Sequence, residues 1–246
     1  MWTLGKTERH SDMTDHLYRQ DAYQTSNAGT VTAVTEEGVI LDQTVFYPTG
    51  GGQPGDNGRL HWDGGEVVVV TAIKGEAGAI IHVLADGATP PPVGAQVTAE
   101  IDEEMRSGYR RIHTALHLLS VAIPLPVTGG SISAAKGRLD FAMPEPPADK
   151  EALAAAVNDL IATDQAITEE WITDEELDAN PGLVKTMSVK PPTGQGRVRL
   201  VRIGDIDLQP CGGTHVRSTA EIGRVRIGKV EKKGKINRRV YLHLDD

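Results

Sequence analysis

Short hydrophobic runs separated by turn residues fill the chain from Thr30 to Ile101. The runs have the length of strands and are rich in β-branched residues: Thr30–Thr35, Val39–Leu41, Val45–Tyr47, Val67–Ile73, Ala79–Leu84 and Gln96–Ile101. Turn residues such as Asn57-Gly58 and the three prolines Pro90–Pro92 lie between them. Strand-sized runs at this spacing predict a small β-barrel or sandwich.

The hydrophobic spacing becomes that of a helix after Asp102, which is placed to cap it. The apolar side of this helix recurs every three or four residues, at Met105, Tyr109, Ile112, Leu116 and Leu119. Pro124 is expected to end it. After a proline-rich break at residues 144–147, Asp149 can cap a second helix, whose apolar stripe is Leu153, Val157, Leu160 and Ile161.

The rest of the second half returns to strand-like patterns. They are Ser131–Met143, between the two helices, and then Arg197–Leu208, Ile222–Glu231 and Ile236–Leu244. Helices combined with such strands favour an α+β architecture in which the helices pack on a mostly antiparallel sheet. The sequence therefore predicts a β-barrel domain over residues 1–102 and an α+β domain over residues 103–246.

Composition and cysteine usage narrow the class of protein. With 246 residues, 39% hydrophobic and 24% charged, the chain matches ordinary globular proteins rather than disordered, collagen-like or coiled-coil chains. Its single cysteine, Cys211, cannot form an internal disulfide, which favours a reducing compartment. The N-terminus lacks the apolar stretch of a signal peptide, and no apolar run approaches the ~20 residues that span a bilayer. We therefore expect a soluble, cytoplasmic protein with no membrane partner.

The charge is unevenly distributed along the chain. The segment from Ile222 to Val240 carries eight lysines and arginines against Glu231 alone, a net +7 in a chain whose formal charge is −9. A phosphate backbone responds to the local potential within about 8–10 Å, so this segment can contact RNA despite the acidic total. A solvated edge hairpin protected by lysine and arginine explains the same charges.

Four residues in two short motifs are candidate metal ligands. His113 and His117 are spaced to lie on one face of the first helix, about 6 Å apart, so both imidazoles can reach one ion. Cys211 and His215 flank two glycines, which let the backbone turn tightly and approach a ligand. Two partly exposed histidines and one inert cysteine are the alternative. Taken together, three nitrogens and one sulfur are donors suited to Zn²⁺.

The residues around these motifs exclude several known chemistries. A zincin protease needs glutamate directly after the first histidine, where this chain has Thr114. A zinc nucleobase deaminase needs a second cysteine at the position of Thr214. The glycine-rich loop of P-loop nucleotide-binding proteins does not occur in the sequence.

The two motifs, residues 113–119 and 211–216, resemble the paired metal-binding motifs of the editing domain of alanyl-tRNA synthetases and of the free-standing alanyl-tRNA editing proteins, the AlaX family. A related domain occurs in threonyl-tRNA synthetases. Phe46–Asp56 resembles the glycine-rich segment of the family's N-terminal barrel, and Gly137–Phe141 and Lys235–Val240 also fit. The resemblance runs from about Thr14 to the end. With no room for a class II aminoacylation domain and no long C-terminal extension, the chain is most similar to the medium-length AlaX class.

This resemblance implies a trans-editing hydrolase. The medium-length class is understood to hydrolyse serine, and sometimes glycine, wrongly esterified to alanine tRNA. The implied partner is the acceptor end of mischarged alanine tRNA, with no obligate protein partner, and the implied cofactor is Zn²⁺ held by His113, His117, Cys211 and His215. Four protein ligands describe a closed structural site, whereas a catalytic zinc keeps one position open, so the ion either activates water or positions the substrate.

The resemblance also suggests roles for residues outside the ligand set. Thr114 or Gln53 can hydrogen-bond the serine hydroxyl, although a helix threonine bonded to its own backbone and a turn glutamine are equally ordinary. Further candidate contacts to the substrate or tRNA are Gly50, Gly51, Gly52, Asp140, Lys232, Lys233, Lys235, Arg238 and Arg239, with Arg106, Arg110 and Arg111 as a second basic patch. A plain glycine turn explains Gly50, Gly51 and Gly52 as well. For Asp140, the alternative is a carboxylate paired with Arg138.

Three rival functions remain open at this stage. A zinc-stabilised RNA-binding module would keep the metal and the basic segment but would not deacylate. A metal-dependent hydrolase of a small ester or amide would act without tRNA. A threonine-tRNA editor differs only in its substrate.

Overall fold

The strands of the first half close into an antiparallel barrel in the computed structural model, which describes residues 14–185 and 196–245. The strands of this part are β1 (Asp15–His16), β2 (Ser26–Val34), β3 (Val39–Leu41), β4 (Gln43–Thr44), β5 (Gly58–Trp62), β6 (Gly65–Lys74), β7 (Ile80–Leu84) and β8 (Gln96–Ile101). Six of them form the barrel in the order β2-β3-β7-β6-β5-β8, and β8 pairs back to β2. β1 and β4 form a short parallel pair. The predicted small barrel is confirmed.

Alternating side chains fill the inside of the barrel. Along β6, Val67 and Val69 are buried whereas Val68 and Val70 are exposed, which is the period of a half-buried strand. Leu60 of β5 and Val97 of β8 join the same core. β5 is a strand that the hydrophobic pattern did not predict.

The predicted strand Val45–Tyr47 is wrong. These residues are buried in the barrel core, but their backbone is irregular. Side chains replace the strand pairing: the Val45 amide donates to the Asn27 side-chain oxygen at 2.9 Å, and the Phe46 amide donates to the Thr44 hydroxyl at 3.1 Å. The hydrophobic run therefore reflects burial of these side chains rather than a strand.

In the described part of the second half, three α-helices are combined with two antiparallel sheets. Its helices are α1 (Glu103–Ala122), α2 (Lys150–Ala162) and α3 (Asp174–Ala179). Its strands are β9 (Val127–Ile132), β10 (Lys136–Ala142), β11 (Ile167–Ile172), β12 (Val198–Ile203), β13 (Asp207–Pro210), β14 (Val225–Lys233) and β15 (Asn237–Leu244). The sheet orders are β14-β15-β10-β9 and β11-β12-β13. The α+β prediction is confirmed. The sequence pattern missed β11 and α3, because both are short and rich in acidic residues.

Both long helices begin where their caps predict. The Asp102 carboxylate accepts a hydrogen bond from the Met105 amide at 3.1 Å, and the Asp149 carboxylate accepts one from the Ala152 amide at 3.0 Å. α1 packs its apolar stripe closely on β10, because a Cβ at Gly137 would lie 2.6 Å from the Ile112 side chain. This packing fixes the helix that carries two of the candidate ligands.

The described residues divide into two compact units. One consists of the residues up to Pro48 together with Asn57–Ile101, and the other of Thr49–Asp56 together with the residues from Asp102 onward. Most of the glycine-rich segment, Thr49–Asp56, thus lies in the second unit, and the division at residues 102 and 103 stays a prediction. Among the described residues, no helix has both the length and the apolar character needed to cross a bilayer.

Candidate metal centre

The structure brings the four predicted ligands together. His113 and His117 project from one face of α1, and Cys211 and His215 lie in the loop that follows β13. One ligand atom from each residue lies within 4.8 Å of all the others. The Cys211 sulfur is 3.4 Å from Nε2 of His113 and 3.2 Å from Nε2 of His215. Residues 98 positions apart in the chain thus meet at a single point.

The spacing and chemistry of this cluster fit a zinc ion. Zn–N and Zn–S bonds of about 2.1 and 2.3 Å place the nitrogen and sulfur corners of a tetrahedron about 3.6 Å apart, close to the observed 3.4 and 3.2 Å. Three imidazoles and one thiol form a donor set that suits Zn²⁺ better than the oxygen-seeking Mg²⁺ or Ca²⁺. The four residues can therefore hold a metal ion of this class.

Glycine at position 213 allows the close approach of the loop to α1. A Cβ on Gly213 would lie 2.1 Å from Cε1 of His113, which no side-chain contact tolerates. Gly212 is different, since a Cβ there would meet nothing within 4 Å. Arg199 of β12 stabilises the loop by donating to the carbonyl oxygens of Cys211 at 2.8 Å and Gly213 at 2.9 Å. The loop is thus shaped by one obligatory glycine and one arginine.

Each histidine ring is held through its Nδ1 atom. Nδ1 of His113 lies 2.9 Å from Oε1 of Gln53, and Nδ1 of His215 lies 3.1 Å from the Thr114 hydroxyl. Nδ1 of His117 lies 3.2 Å from a carboxylate oxygen of Asp207. With Nδ1 occupied in all three rings, Nε2 is left for the ion, an arrangement typical of metal-binding histidines.

The electrostatics favour the metal-binding forms of Cys211 and His215. Burial alone would raise the pKa of the Cys211 thiol, but electrostatic interactions and hydrogen bonds with the surrounding imidazoles outweigh it and hold this pKa well below its usual value. Burial lowers the pKa of His215 to about 3, against the opposing effect of the Cys211 thiolate. A thiolate and a neutral imidazole are the states that coordinate a metal.

His117 and Asp207 form a charge-coupled pair. Burial would lower the pKa of His117, but its hydrogen bonds to Asp207 and Cys211 raise that pKa to about 9. Burial would raise the pKa of Asp207, but the hydrogen bonds from His117 and Lys185 lower it to about 2. Asp207 therefore stays ionised beside a candidate ligand histidine.

The glycine-rich segment delivers Gln53 to the cluster. Gly50 and Gln53 bond each other's backbone at 3.0 and 2.9 Å, and Gly51 and Gly52 supply the positive φ angles of 59° and 84° that this turn requires. Gln53 is only 1% exposed. Its Oε1 accepts the Thr214 amide at 3.1 Å, and its Nε2 donates to the Thr214 hydroxyl at 2.9 Å.

Thr114 sits between the two helical ligands, as predicted, and its hydroxyl is engaged. It donates to the Arg110 carbonyl at 2.9 Å, contacts Nδ1 of His215 and accepts the Val216 amide at 3.3 Å. A hydroxyl has one proton to donate and two lone pairs, so these three bonds use its capacity. The bond to Arg110 is the local backbone bond that the sequence left as an alternative.

The predicted second basic patch is wrong. Arg106 is completely buried and pairs with Asp56, while Arg110 is 3% exposed and pairs with Glu103. Arg111, which is half-buried, donates to the Ile222 carbonyl. A guanidinium buried against a carboxylate cannot reach a phosphate, so these arginines serve the interior of the second unit.

The basic C-terminal segment forms the hairpin of β14 and β15. Lys232, Lys233 and Lys235 are exposed near its tip. Arg238 is buried and donates to the Pro144 carbonyl. Arg239 donates to both oxygens of Asp140, at 2.7 and 2.9 Å. Of the five predicted cations, the three lysines are therefore the ones that face solvent.

Asp140 lies between two arginines on the sheet of β14, β15, β10 and β9. Arg138 donates to its Oδ2 at 2.9 Å, in addition to the two bonds from Arg239. This is the arginine pairing that the sequence left as the alternative for Asp140, and the predicted contact to a substrate ammonium group stays a prediction.

Sequence reasoning missed the residues that support the ligands. Asp207 and Gln209 of β13 and Arg199 of β12 all contact the ligand residues or their loop. Asp207, Gln209 and Cys211 are two residues apart, which places them on one side of an extended chain. That alternation beside a glycine motif was the available signal.

Comparison with known families connects this site to aminoacyl-tRNA chemistry. A family profile described as "Threonyl and Alanyl tRNA synthetase second additional domain" matches residues 198–241, which contain Cys211 and His215. A second profile, described as "tRNA synthetases class II (A)", matches residues 8–105.

Several curated relatives are similar over nearly the whole chain. An alanyl-tRNA editing protein AlaX-M of Methanosarcina mazei is 34% identical over 95% of this chain and 98% of its own length. An AlaX-M protein of Saccharolobus solfataricus is 37% identical over 93% of this chain and 98% of its own length. An alanine–tRNA ligase of Pyrobaculum neutrophilum is 34% identical over 89% of this chain but only 25% of its own length.

Proposed function

Because this chain belongs to the AlaX family of alanyl-tRNA editing proteins, we propose that it hydrolyses the ester of serine wrongly attached to alanine tRNA, with glycine as the second candidate substrate. The observation that carries the proposal is the meeting of four ligand atoms within 4.8 Å of one another. The reaction is attack of water on the acyl carbon, which releases the free amino acid and leaves the 3′-terminal hydroxyl of the tRNA.

The substrate follows from a limit on selectivity. A pocket built for alanine rejects serine poorly, because one added hydroxyl changes binding by only a few kcal/mol, and glycine is smaller still. A separate site that hydrolyses the wrong ester corrects such errors.

His113, His117, Cys211 and His215 are the residues that would hold Zn²⁺. The ion supplies Lewis-acid chemistry, which polarises the ester carbonyl or lowers the pKa of a water molecule. The three histidines are 5–7% exposed, so the chain shields the reaction from bulk water on their side. Cys211 is half-buried and Gly212 is exposed, so the ester can enter on the side of the loop.

Selection of serine requires a polar group that alanine leaves unpaired. Gln53 has a second amide proton beyond the one given to Thr214, and we propose that it donates this proton to the serine hydroxyl. Thr114 remains the second candidate for this contact, and it would exchange one of its present bonds for the substrate. Both side chains lie next to a ligand histidine.

We propose that Lys232, Lys233 and Lys235 contact phosphates of the acceptor stem. These exposed lysines lie together near one end of the hairpin. Lysine contacts to phosphates do not read the base sequence, so this cluster suits non-specific attraction of an RNA backbone. The turn of Gly50, Gly51 and Gly52 remains a candidate for contact with the terminal adenosine, Asp140 for the substrate ammonium, and Arg238 and Arg239 for support of the basic surface.

The substrate is tested with one alanine tRNA charged in turn with serine, glycine and alanine. We expect the seryl ester to disappear at least about 100-fold faster than the alanyl ester, because alanine lacks the hydroxyl that a polar site requires. Loss of the radiolabelled amino acid from the tRNA measures each rate.

Four results would contradict the proposal. Equal loss of all three esters would reject the selectivity. Binding of the tRNA without any ester loss would indicate an RNA-binding module, and equal rates on serine methyl ester without tRNA would indicate a small-ester hydrolase. A threonine-tRNA editor would be detected in separate arms that use threonine tRNA charged either with threonine or with serine.

A further inference from the structure

We propose that Asp207 is a positioning residue of the metal centre, which fixes His117 in the ring form that presents Nε2 to the ion. The inference rests on the proposed metal site and goes beyond it, since Asp207 lies outside both ligand motifs. It also implies that the three histidines would bind the metal with different strengths.

The geometry places a buried carboxylate directly behind His117. Asp207 begins β13, and its side chain is completely buried. One of its oxygens lies 3.2 Å from Nδ1 of His117. A carboxylate only accepts hydrogen bonds, so the contact with Asp207 requires the proton on Nδ1. The Gln209 amide also lies 3.0 Å from Nδ1, but its shorter bond, at 2.6 Å, goes to the Asp207 carboxylate. In the neutral ring that would bind a metal, the lone pair is then on Nε2, on the side of Cys211 and the other candidate ligands.

Two more side chains hold Asp207 in this position. The Gln209 amide donates to the carboxylate oxygen that faces His117, at 2.6 Å. The Lys185 ammonium forms an ion pair with the other oxygen. A buried carboxylate is costly unless it is paired and hydrogen-bonded, and here Lys185 offsets its charge while Gln209 and His117 occupy the remaining oxygen. The carboxylate therefore has little freedom to turn away from the ring.

His117 is the one ligand histidine whose Nδ1 contacts a carboxylate. Gln53 and Thr114, which are neutral, play this part for His113 and His215. A carboxylate raises the basicity of the ring more than an amide or a hydroxyl does. His117 is therefore the nitrogen donor that would bind the metal most strongly of the three. If one histidine yields its place to the substrate, it is therefore His113 or His215.

The test compares zinc binding of the wild-type chain, Asp207→Asn and Asp205→Asn, measured by competition with a chromophoric chelator. Asp205 is an exposed carboxylate in the turn just before β13, so its variant controls for loss of a nearby charge. We expect Asp207→Asn to weaken zinc binding by about 10–100-fold, the usual cost of removing such a partner, and Asp205→Asn to leave the affinity unchanged. Circular dichroism of the metal-free proteins checks that both variants fold.

A second measurement needs no variant. In long-range ¹H–¹⁵N spectra of the zinc-loaded wild-type protein, His117 should be protonated on Nδ1 and coordinated through Nε2. Coordination through Nδ1, or unchanged zinc affinity in a folded Asp207→Asn protein, would overturn the inference while leaving the proposed metal site standing. Failure of the wild-type chain to bind zinc would overturn both.

Discussion

Replacing Cys211 by alanine is expected to lower the rate of seryl-ester hydrolysis by at least about 100-fold, because loss of a direct ligand costs no less than loss of an outer partner. The Cys211 sulfur lies 3.4 and 3.2 Å from two of the ligand imidazoles and is the sole anionic donor of the set. Without it, three buried imidazoles converge on a small cavity. Single-turnover assays on serine-charged alanine tRNA measure the rate, and elemental analysis measures bound zinc.

The variant is informative only if the protein stays folded and still binds tRNA. Cys211 is half-buried and outside the apolar clusters, so we expect the unfolding temperature and tRNA affinity to change little. A folded Cys211→Ala protein that binds less zinc but hydrolyses the seryl ester at the wild-type rate would show that the metal is structural, and that water is activated elsewhere.

Adding one methyl group at Gly213 is expected to lower the rate of seryl-ester hydrolysis nearly as much as Cys211→Ala does. The Cβ would lie 2.1 Å from Cε1 of His113, so either the ring or the loop must move by about an ångström. Since a displacement of about 1 Å in a catalytic arrangement can cost about 100-fold, we expect Gly213→Ala to lose hydrolysis of this order. The single-turnover assay and the zinc competition assay should both report the loss.

Gly212→Ala is the matched control for this prediction. The two glycines are adjacent, and neither has the positive φ angle that would strain an alanine. A Cβ on Gly212 meets nothing within 4 Å, so its variant should retain zinc affinity and activity within about threefold, the context scatter expected at an exposed position. Equal losses in both variants would show that loop flexibility, rather than the approach to His113, requires the glycines.

Local signals in the sequence predicted most of the architecture. The strand-sized runs between turn residues predicted the barrel, and Asp102 and Asp149 predicted the starts of α1 and α2, because caps and amphipathic stripes are determined by neighbouring residues. The meeting of the four candidate ligands was also predictable, since a spacing of four places His113 and His117 on one helix face and the donor types of both motifs suit one ion.

Features that depend on distant parts of the chain could not be predicted. Arg106 looked like a surface cation in the sequence, but Asp56, 50 residues earlier, binds it in the interior. Asp207 is 90 residues from His117, and its alternation with Gln209 and Cys211 places it on the side of the cysteine motif without indicating which histidine it contacts. Val45–Tyr47 is hydrophobic enough for a strand, yet the Asn27 side chain takes the place of a paired strand.

We propose that the seryl ester is hydrolysed at a metal ion held by His113, His117, Cys211 and His215. The most direct test is the rate of serine release from alanine tRNA by metal-free protein, measured as Zn²⁺ is added back. We expect no release without metal and a rate that rises until one ion is bound per chain. An unchanged rate in folded, metal-free protein would contradict the proposal.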